Sequence, residues 1–360
     1  MRTGLLYRVV GMLALASALV VPSATAGADS LELEFDKALG AEFRPPARPV
    51  APPRVQSFVA QPPTVQRWSA PVPAAPGYRS DFEAQLLSRA SAENGRIGVA
   101  AIDLGSGRNI AVLGDQPFPL ASTSKIAIAA TFLQGVDDGR YRLSDLYPLM
   151  VPVASAKLSS AVAPVRPGGM VSAHGLIELA LTRSDNQATD ALLAAVGGPQ
   201  AVNRWMRMAG LTGVRIDRDI ATLVRDDGIF DPATTVDLRD STTPQAMVRL
   251  LSGLHRGEWL SASSRAVIFG AMERCVTGKR RIAGLLPEGA RVAHKTGTLS
   301  NTASDVGIIT TPDGRTIAVA IYVTGQGGKQ GRDARIASIA RTIYDGYVSE
   351  APSLRRTASR

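Results

Sequence analysis

The sequence has 360 residues, 45% hydrophobic and 20% charged, which excludes wholesale disorder and supplies ample material for a core. The formal charge is +9, yet aromatics are only 5% and the basic residues are dispersed, so a nucleic-acid partner is not expected. A single cysteine, Cys275, excludes an intrachain disulfide and any cysteine-built zinc or iron–sulfur site.

Along the chain, Arg2 and Arg8 flank the start of an apolar run, Val9 to Val21, that ends in Ala24-Thr25-Ala26. That order predicts a signal peptide over 1–26, cleaved after Ala26, and export to the periplasm or the medium with no stable membrane anchor. Losing Arg2 and Arg8, and no acids, lowers the charge from +9 to +7. Residues 27–78 hold ten of the 23 prolines and read as a flexible tether, since proline fixes φ and removes amide donors. Residues 79–349 read as one globular domain, followed by a basic tail over 350–360.

Within the domain, Asp81 to Glu93 reads as a helix with Phe82, Leu86 and Ala90 on one face. Two strands follow, Arg96 to Leu104 and Ile110 to Leu113. The middle reads as helices with no convincing strand. Ile126 to Leu133 is apolar on nearly every side, which predicts a helix buried at the centre. Further helices are expected over His174–Arg183, Gln187–Val196, Gln200–Ala209, Pro244–Leu254 and Ser263–Arg274. Gly197-Gly198-Pro199 supplies a stop signal for the second of these. Strands return over Val292–Thr298, Val306–Thr311 and Ile317–Thr324. A last helix sets Ile336, Ile339, Ala340, Ile343 and Tyr347 on one side. The predicted class is α+β, an α/β/α sandwich: an antiparallel sheet flanked by helices from both termini, with an all-helical subdomain inserted. An active site is expected at the seam.

Three short motifs carry chemistry. Ser122-Thr123-Ser124-Lys125 opens the central helix, Ser184-Asp185-Asn186 breaks two helices, and Lys295-Thr296-Gly297-Thr298 ends a late strand. Each alone is common; the ordered set on these elements is specific. Three residues apart on a helix, Ser122 and Lys125 face the same way. A serine hydroxyl needs a neighbour to remove its proton, and a lysine desolvated near a second cation, such as Lys295, acquires that ability. Ser184 can relay a proton to a departing amide nitrogen, and Asn186 can position Lys125 or the substrate. The Lys295–Thr298 edge can pair with an amide substrate. The amides of Ser122 and Thr298 fit an oxyanion hole, and Lys295, Thr296 and Thr298 suit a carboxylate, with Gly297 between them. Lysine is a rare choice here, six of 40 basic residues, and two of the six fall in these motifs.

From Asp81 to Val348 the sequence resembles a class A serine β-lactamase, within the penicillin-binding superfamily. The stretches Phe118–Lys125, Ser184–Leu193, Gly197–Pro199, Arg239–Pro244 and His294–Thr298 carry the likeness. The resemblance implies a β-lactamase/transpeptidase-like fold, Ser122 as acylated nucleophile, and Lys125, Ser184, Asn186 and Lys295 as its partners. It implies a β-lactam or peptidoglycan stem-peptide substrate, a monomer and no cofactor. One position departs from the family. Its Ω-loop glutamate, which activates the deacylating water, falls here on Ile220, after Ile216-Asp217-Arg218-Asp219. Asp219 is the first substitute candidate, ahead of Asp226, Asp227 and Asp231, and Arg218 with Asp240 is expected to close the loop. Acylation should therefore survive and deacylation should be slow.

The remaining residues read blandly. His174, His255 and His294 lack metal-ligand spacing, so zinc is not expected. His294 is read as packing or capping the strand, with tuning of the neighbouring Lys295 left open, Cys275 as a small apolar filler, Trp205 and Met208 as core, and Lys279–Arg281 as a solvated turn. No arginine follows the Lys295 strand to bind a carboxylate, Arg332 being only distant. Two other readings stand: a penicillin-binding D-alanyl-D-alanine peptidase, which needs no Ω-loop glutamate, and a non-catalytic β-lactam or peptidoglycan binder.

Overall fold

The computed structural model describes residues 65–68 and 80–357, with side chains to residue 349. The expected signal peptide and nearly all of the expected tether lie outside the described residues. The exception is β1 (Val65–Arg67), inside the stretch read as tether, which is paired as a strand rather than free.

Helix α1 (Asp81–Arg89) starts where Ser80 accepts the Glu83 amide, the N-cap arrangement that satisfies an otherwise orphaned donor. Strands β2 (Arg96–Asp103) and β3 (Asn109–Val112) follow as expected. The short β4 (Phe118–Pro119) leads into a 3-10 turn over Ala121–Thr123 and then α2 (Ser124–Asp137). Ser122 thus sits in the turn before the helix. Next come β5 (Leu146–Pro152) and β6 (Val165–Ser172), an antiparallel hairpin where no strand was expected. Pro148, Pro152, Pro167 and the Gly168-Gly169 pair hid it, because such residues weaken strands except in small edge ribbons like this one.

The helical insert continues with α3 (Ala173–Thr182), α4 (Asn186–Val196) and α5 (Pro199–Met208). Gly197 ends α4 at φ +94°, and the Gly198 amide closes back onto Leu193, a left-handed cap that glycine adopts without Cβ strain. A loop then carries β7 (Val214–Arg215), α6 (Ile220–Arg225), β8 (Thr235–Asp237) and β9 (Ser241–Thr242). Strand β1 pairs with β8, so the N-terminal segment adds a strand to this loop. Helices α7 (Pro244–Arg256) and α8 (Ala262–Glu273) precede β10 (Arg291–Leu299), β11 (Thr302–Thr310) and β12 (Thr316–Thr324). The final α9 (Lys329–Thr357) runs into the stretch read as a basic tail, whose first residues are therefore helical.

The main sheet has five antiparallel strands in the order β10-β11-β12-β2-β3. Strand alternation divides its two faces between two cores. On β12, Ala318, Ala320 and Tyr322 meet the helical insert. Ile317, Val319, Ile321 and Val323 meet the terminal helices, as do Ile336, Ile339, Ala340 and Ile343 of α9. Phe82 seats edge-on against Tyr347, centroids 5.2 Å apart, and a Cβ on Gly346 would meet the Phe82 ring at 2.2 Å. Trp205 is buried as expected, but Met208 is 81% exposed, because α5 ends there and its side chain projects past the last packed turn.

Two consequences matter for function. Strand β10 is an edge of the main sheet, so its outer backbone groups are open to a partner. The 3-10 turn that opens α2 packs against that strand, and the residues of α2 from Ser124 to Leu133 are all buried.

Candidate active site

The three motifs converge. Lys125 Nζ donates to the Ser184 carbonyl at 2.6 Å, to Asn186 Oδ1 at 2.7 Å, to the Asp185 carbonyl at 3.3 Å and to Ser184 Oγ at 3.3 Å. Lys295 Nζ donates to Ser184 Oγ at 2.9 Å and to the Thr296 carbonyl at 2.8 Å. The Ser184 hydroxyl therefore lies between two ammonium groups drawn from α2 and β10. Ser122, half-buried, is in the turn one step before α2.

Local backbone strain marks the same place. Ala121, beside Ser122, has φ +46°, and Ser184 has φ +60°. Non-glycine residues in this region cost about 1–3 kcal/mol each and persist where the surroundings over-determine them. Ser124 Oγ donates to the Ala121 carbonyl and Thr123 Oγ1 to the Leu120 carbonyl, which hold the turn. The Leu120 amide in turn donates to Asp240, which ties the turn to the loop root. Gly297 is required by close approach: a Cβ there would lie 3.0 Å from the Leu120 carbonyl and 2.4 Å from Ser304 Oγ.

The electrostatics follow from burial. Lys125 is pulled down to about 7, by desolvation first and by the Lys295 charge second. Lys295, fully buried, is pulled down to about 8 for the same leading reason, with Arg281 adding to it. An amine near 7 is half neutral at neutral pH and can accept a proton.

Arg281 departs most from its sequence reading. It was read as part of a solvated turn, but it is 2% exposed. Its guanidinium donates to Asp333 at 2.7 Å, to the Gly297 and Ser304 carbonyls at 2.8 Å each, and to Thr298 Oγ1 at 2.8 Å. It thus supplies the positive charge behind the Thr298 end of β10 that no arginine after the strand provides. Nothing in Lys279-Arg280-Arg281 signals which member turns inward. Arg332 instead bonds the Gly327 carbonyl and Asn301.

Thr296 Oγ1 lies 2.6 Å from Thr277 Oγ1. Cys275 contacts the same threonine and is half-buried and hydrogen-bonded rather than an inert filler. Burial would raise its thiol, but the hydrogen bond from His294 and that residue's charge win and hold it at about 7. His294 does more than pack. Its Nδ1 sits 2.9 Å from Asp305; burial opposes its charge, but the carboxylate outweighs burial and lifts it to about 10.

In the loop, Arg218 Nε meets Asp240 Oδ2 at 2.5 Å, the carboxylate buried and the guanidinium largely so, and the expected closure is present. Asp240 also accepts the Asp217 and Arg218 amides. Ile220 is 3% exposed, and its amide donates to Asp190 Oδ1 at 2.7 Å, with Ala221 donating to Asp190 Oδ2. Asp190, which the sequence did not single out, thus anchors α6; burial and the nearby Asp219 raise it to about 8. Asp219 is the N-cap of α6, accepting the Thr222 amide at 2.7 Å. Asp226 accepts the Leu158 amide, and Asp227 accepts the Ser300 amide.

Fold and site together place the protein among serine hydrolases that set a helical insert against the edge of an antiparallel sheet. The model of the beta-lactamase enzyme family matches residues 81–347, and the chain belongs to that family. Extended-spectrum beta-lactamase PER-1 of Pseudomonas aeruginosa is 30% identical over 241 residues, covering 64% of this chain and 75% of that one. Beta-lactamase CTX-M-8 of Citrobacter amalonaticus is 30% identical over 273 residues, covering 74% and 90%. Among solved structures, an ancestral Gram-negative class A beta-lactamase matches with TM-score 0.64 and 33% identity, over 74% of this chain and all of that one. A beta lactamase from Xanthomonas campestris matches with TM-score 0.63 and 28% identity, over 73% and 95%. The protein is a class A-like serine β-lactamase hydrolase.

Proposed function

We propose that Ser122 is the nucleophile of an exported enzyme that is acylated by β-lactams and releases the product slowly. The observation that carries the reading is the Ser184 hydroxyl shared by Lys125 and Lys295. In its neutral form Lys125 takes the Ser122 proton as Oγ attacks the lactam carbonyl. The carbonyl–nitrogen bond breaks, and the proton reaches the leaving nitrogen through Ser184, held by Lys295. Asn186 orients Lys125. The amides of Ser122 and Thr298 receive the developing oxyanion. Lys295, Thr296 and Thr298 receive the substrate carboxylate, and Arg281 charges the Thr298 hydroxyl from behind. Gly297 lets β10 approach the turn.

Slow deacylation is supported by what surrounds Ile220. The side chain is apolar, the adjacent Asp219 carboxylate is committed to the α6 cap, and Asp190 is committed to two amides. A penicillin-binding D-alanyl-D-alanine peptidase is the second reading, favoured by the same apolar Ile220. The signal-like residues 1–26 support export, and among the described residues no helix is long and apolar enough to cross a membrane. Time-resolved intact mass with a penicillin, a cephalosporin and a carbapenem tests the proposal. A persistent adduct on Ser122 is expected. Rapid return to the free mass refutes slow release, and no adduct at all refutes the nucleophile. Release of D-alanine from a muramyl-peptide mimic would select the peptidase.

A further inference from the structure

A cavity of about 820 Å³ opens between α5 and the root of the loop, lined by none of the active-site residues. Its size falls in the range that small-molecule sites occupy, roughly 300–1,000 Å³. The walls are apolar where Pro117, Pro199, Leu211, Val214 and Leu238 face it. The polar side is cationic. Arg204 and Arg207 stand three residues apart on α5, so both guanidinia project from one face. Both are exposed, and among the described residues neither has an ion pair or hydrogen bond. Arg215 enters from β7 and is held by Asp217 at 2.5 Å. Among the described residues Asp217 is the only carboxylate on the lining, and it is paired with Arg215, which leaves the charges of Arg204 and Arg207 to face the cavity.

The opposite wall is rigid. The side chain of Asn203 donates to the Ile216 carbonyl and accepts the Ile216 amide, fixing α5 to the loop root. Asp217 and Arg218 amides are fixed by Asp240. Gln200, at the mouth, leaves its amide uncommitted among the described residues. A site that is prebuilt, apolar on one side and doubly cationic on the other matches a particular ligand chemistry. Guanidinium forks bind carboxylate, phosphate or sulfonate oxygens in pairs, and the apolar wall takes up a hydrophobic body.

We propose that this cavity is a second binding site, separate from Ser122, for a small polyanion carried on an apolar body. Arg204 and Arg207 hold the anionic groups, and Leu211, Val214 and Leu238 hold the body. The occupant rests on the strand that roots the loop bearing Ile220.

Pyranine, a trisulfonated pyrene, is the probe, read by fluorescence anisotropy against the full chain at moderate salt. Saturable binding of one molecule per chain is expected, equal in the free protein and in protein acylated by a penicillin. Pyrophosphate and pyrenemethanol, an anion without a body and a body without an anion, are each expected to compete at least tenfold more weakly than unlabelled pyrenetetrasulfonate. The double variant Arg204→Ser/Arg207→Ser should weaken binding at least tenfold with an unchanged melting temperature. A control with the same change in net charge, Arg89→Ser/Arg291→Ser, should leave it within twofold. Absent saturation, equal weakening in the control, or loss of binding on acylation overturns the proposal.

Discussion

The rate of acylation should follow the proton on Lys125. The amine stands at about 7 against an ordinary 10.5, because burial and the neighbouring Lys295 charge disfavour its cation. At about 1.4 kcal/mol per unit, that difference is on the order of 5 kcal/mol. It raises the neutral fraction at pH 7 from roughly 0.03% to about half. Below the midpoint the base is protonated, so the acylation rate should fall about tenfold per pH unit. Above about 8 Lys295 loses its charge and with it the hold on Ser184 and the substrate carboxylate, so the rate should fall again. The two limbs belong to the coupled pair rather than to either lysine. Lys125→Arg keeps a cation in place but cannot release its proton near neutral pH, and about 10³-fold slower acylation is expected. The assay is stopped-flow acylation by a chromogenic cephalosporin from pH 5 to 9, with intact mass to confirm the adduct. A flat profile, an acid limb below pH 5.5, or less than tenfold loss in Lys125→Arg would refute the amine as base.

Three other outcomes are expected. Ile220→Glu places a carboxylate beside the Asp219 cap and should shorten the acyl-enzyme lifetime at least tenfold with acylation little changed, read by intact mass after a penicillin pulse. Arg281→Ala leaves the buried Asp333 carboxylate with only the exposed Lys329 as ion partner and takes one donor from each of the Gly297 and Ser304 carbonyls, at a cost of about 3 kcal/mol in urea unfolding; a loss under 1 kcal/mol would contradict this. Gly297→Ala forces β10 away from the Leu120 carbonyl, and acylation should slow about 100-fold while far-UV circular dichroism stays unchanged.

How much was legible beforehand differs by element. The central helix was readable because α2 is buried on every side and so is apolar on every side. The three late strands and α9 were readable because alternation and helical spacing report one buried face directly. The β5–β6 hairpin was not, since its strands are largely exposed and carry prolines and glycines. The strand at Val65–Arg67 was not, since among the described residues it pairs only with β8, about 170 residues further along in the loop.

The site divides in the same way. Ser122, Lys125, Ser184, Asn186 and Lys295 were legible as candidates because they stand in short motifs whose spacing has a local reason, and the proposed chemistry rests on them. Legible too is an apolar Ile220 at the position that the resemblance assigns to the Ω-loop glutamate. Tertiary structure decided everything that depends on distant neighbours. Only the fold turns Arg281 inward beneath β10, sets Asp190 under the Ile220 amide, and places Arg204, Arg207 and Arg215 around one cavity. The reason is physical: a side chain's burial, charge partners and pKa come from the elements packed against it, and those lie tens to hundreds of residues away along the chain.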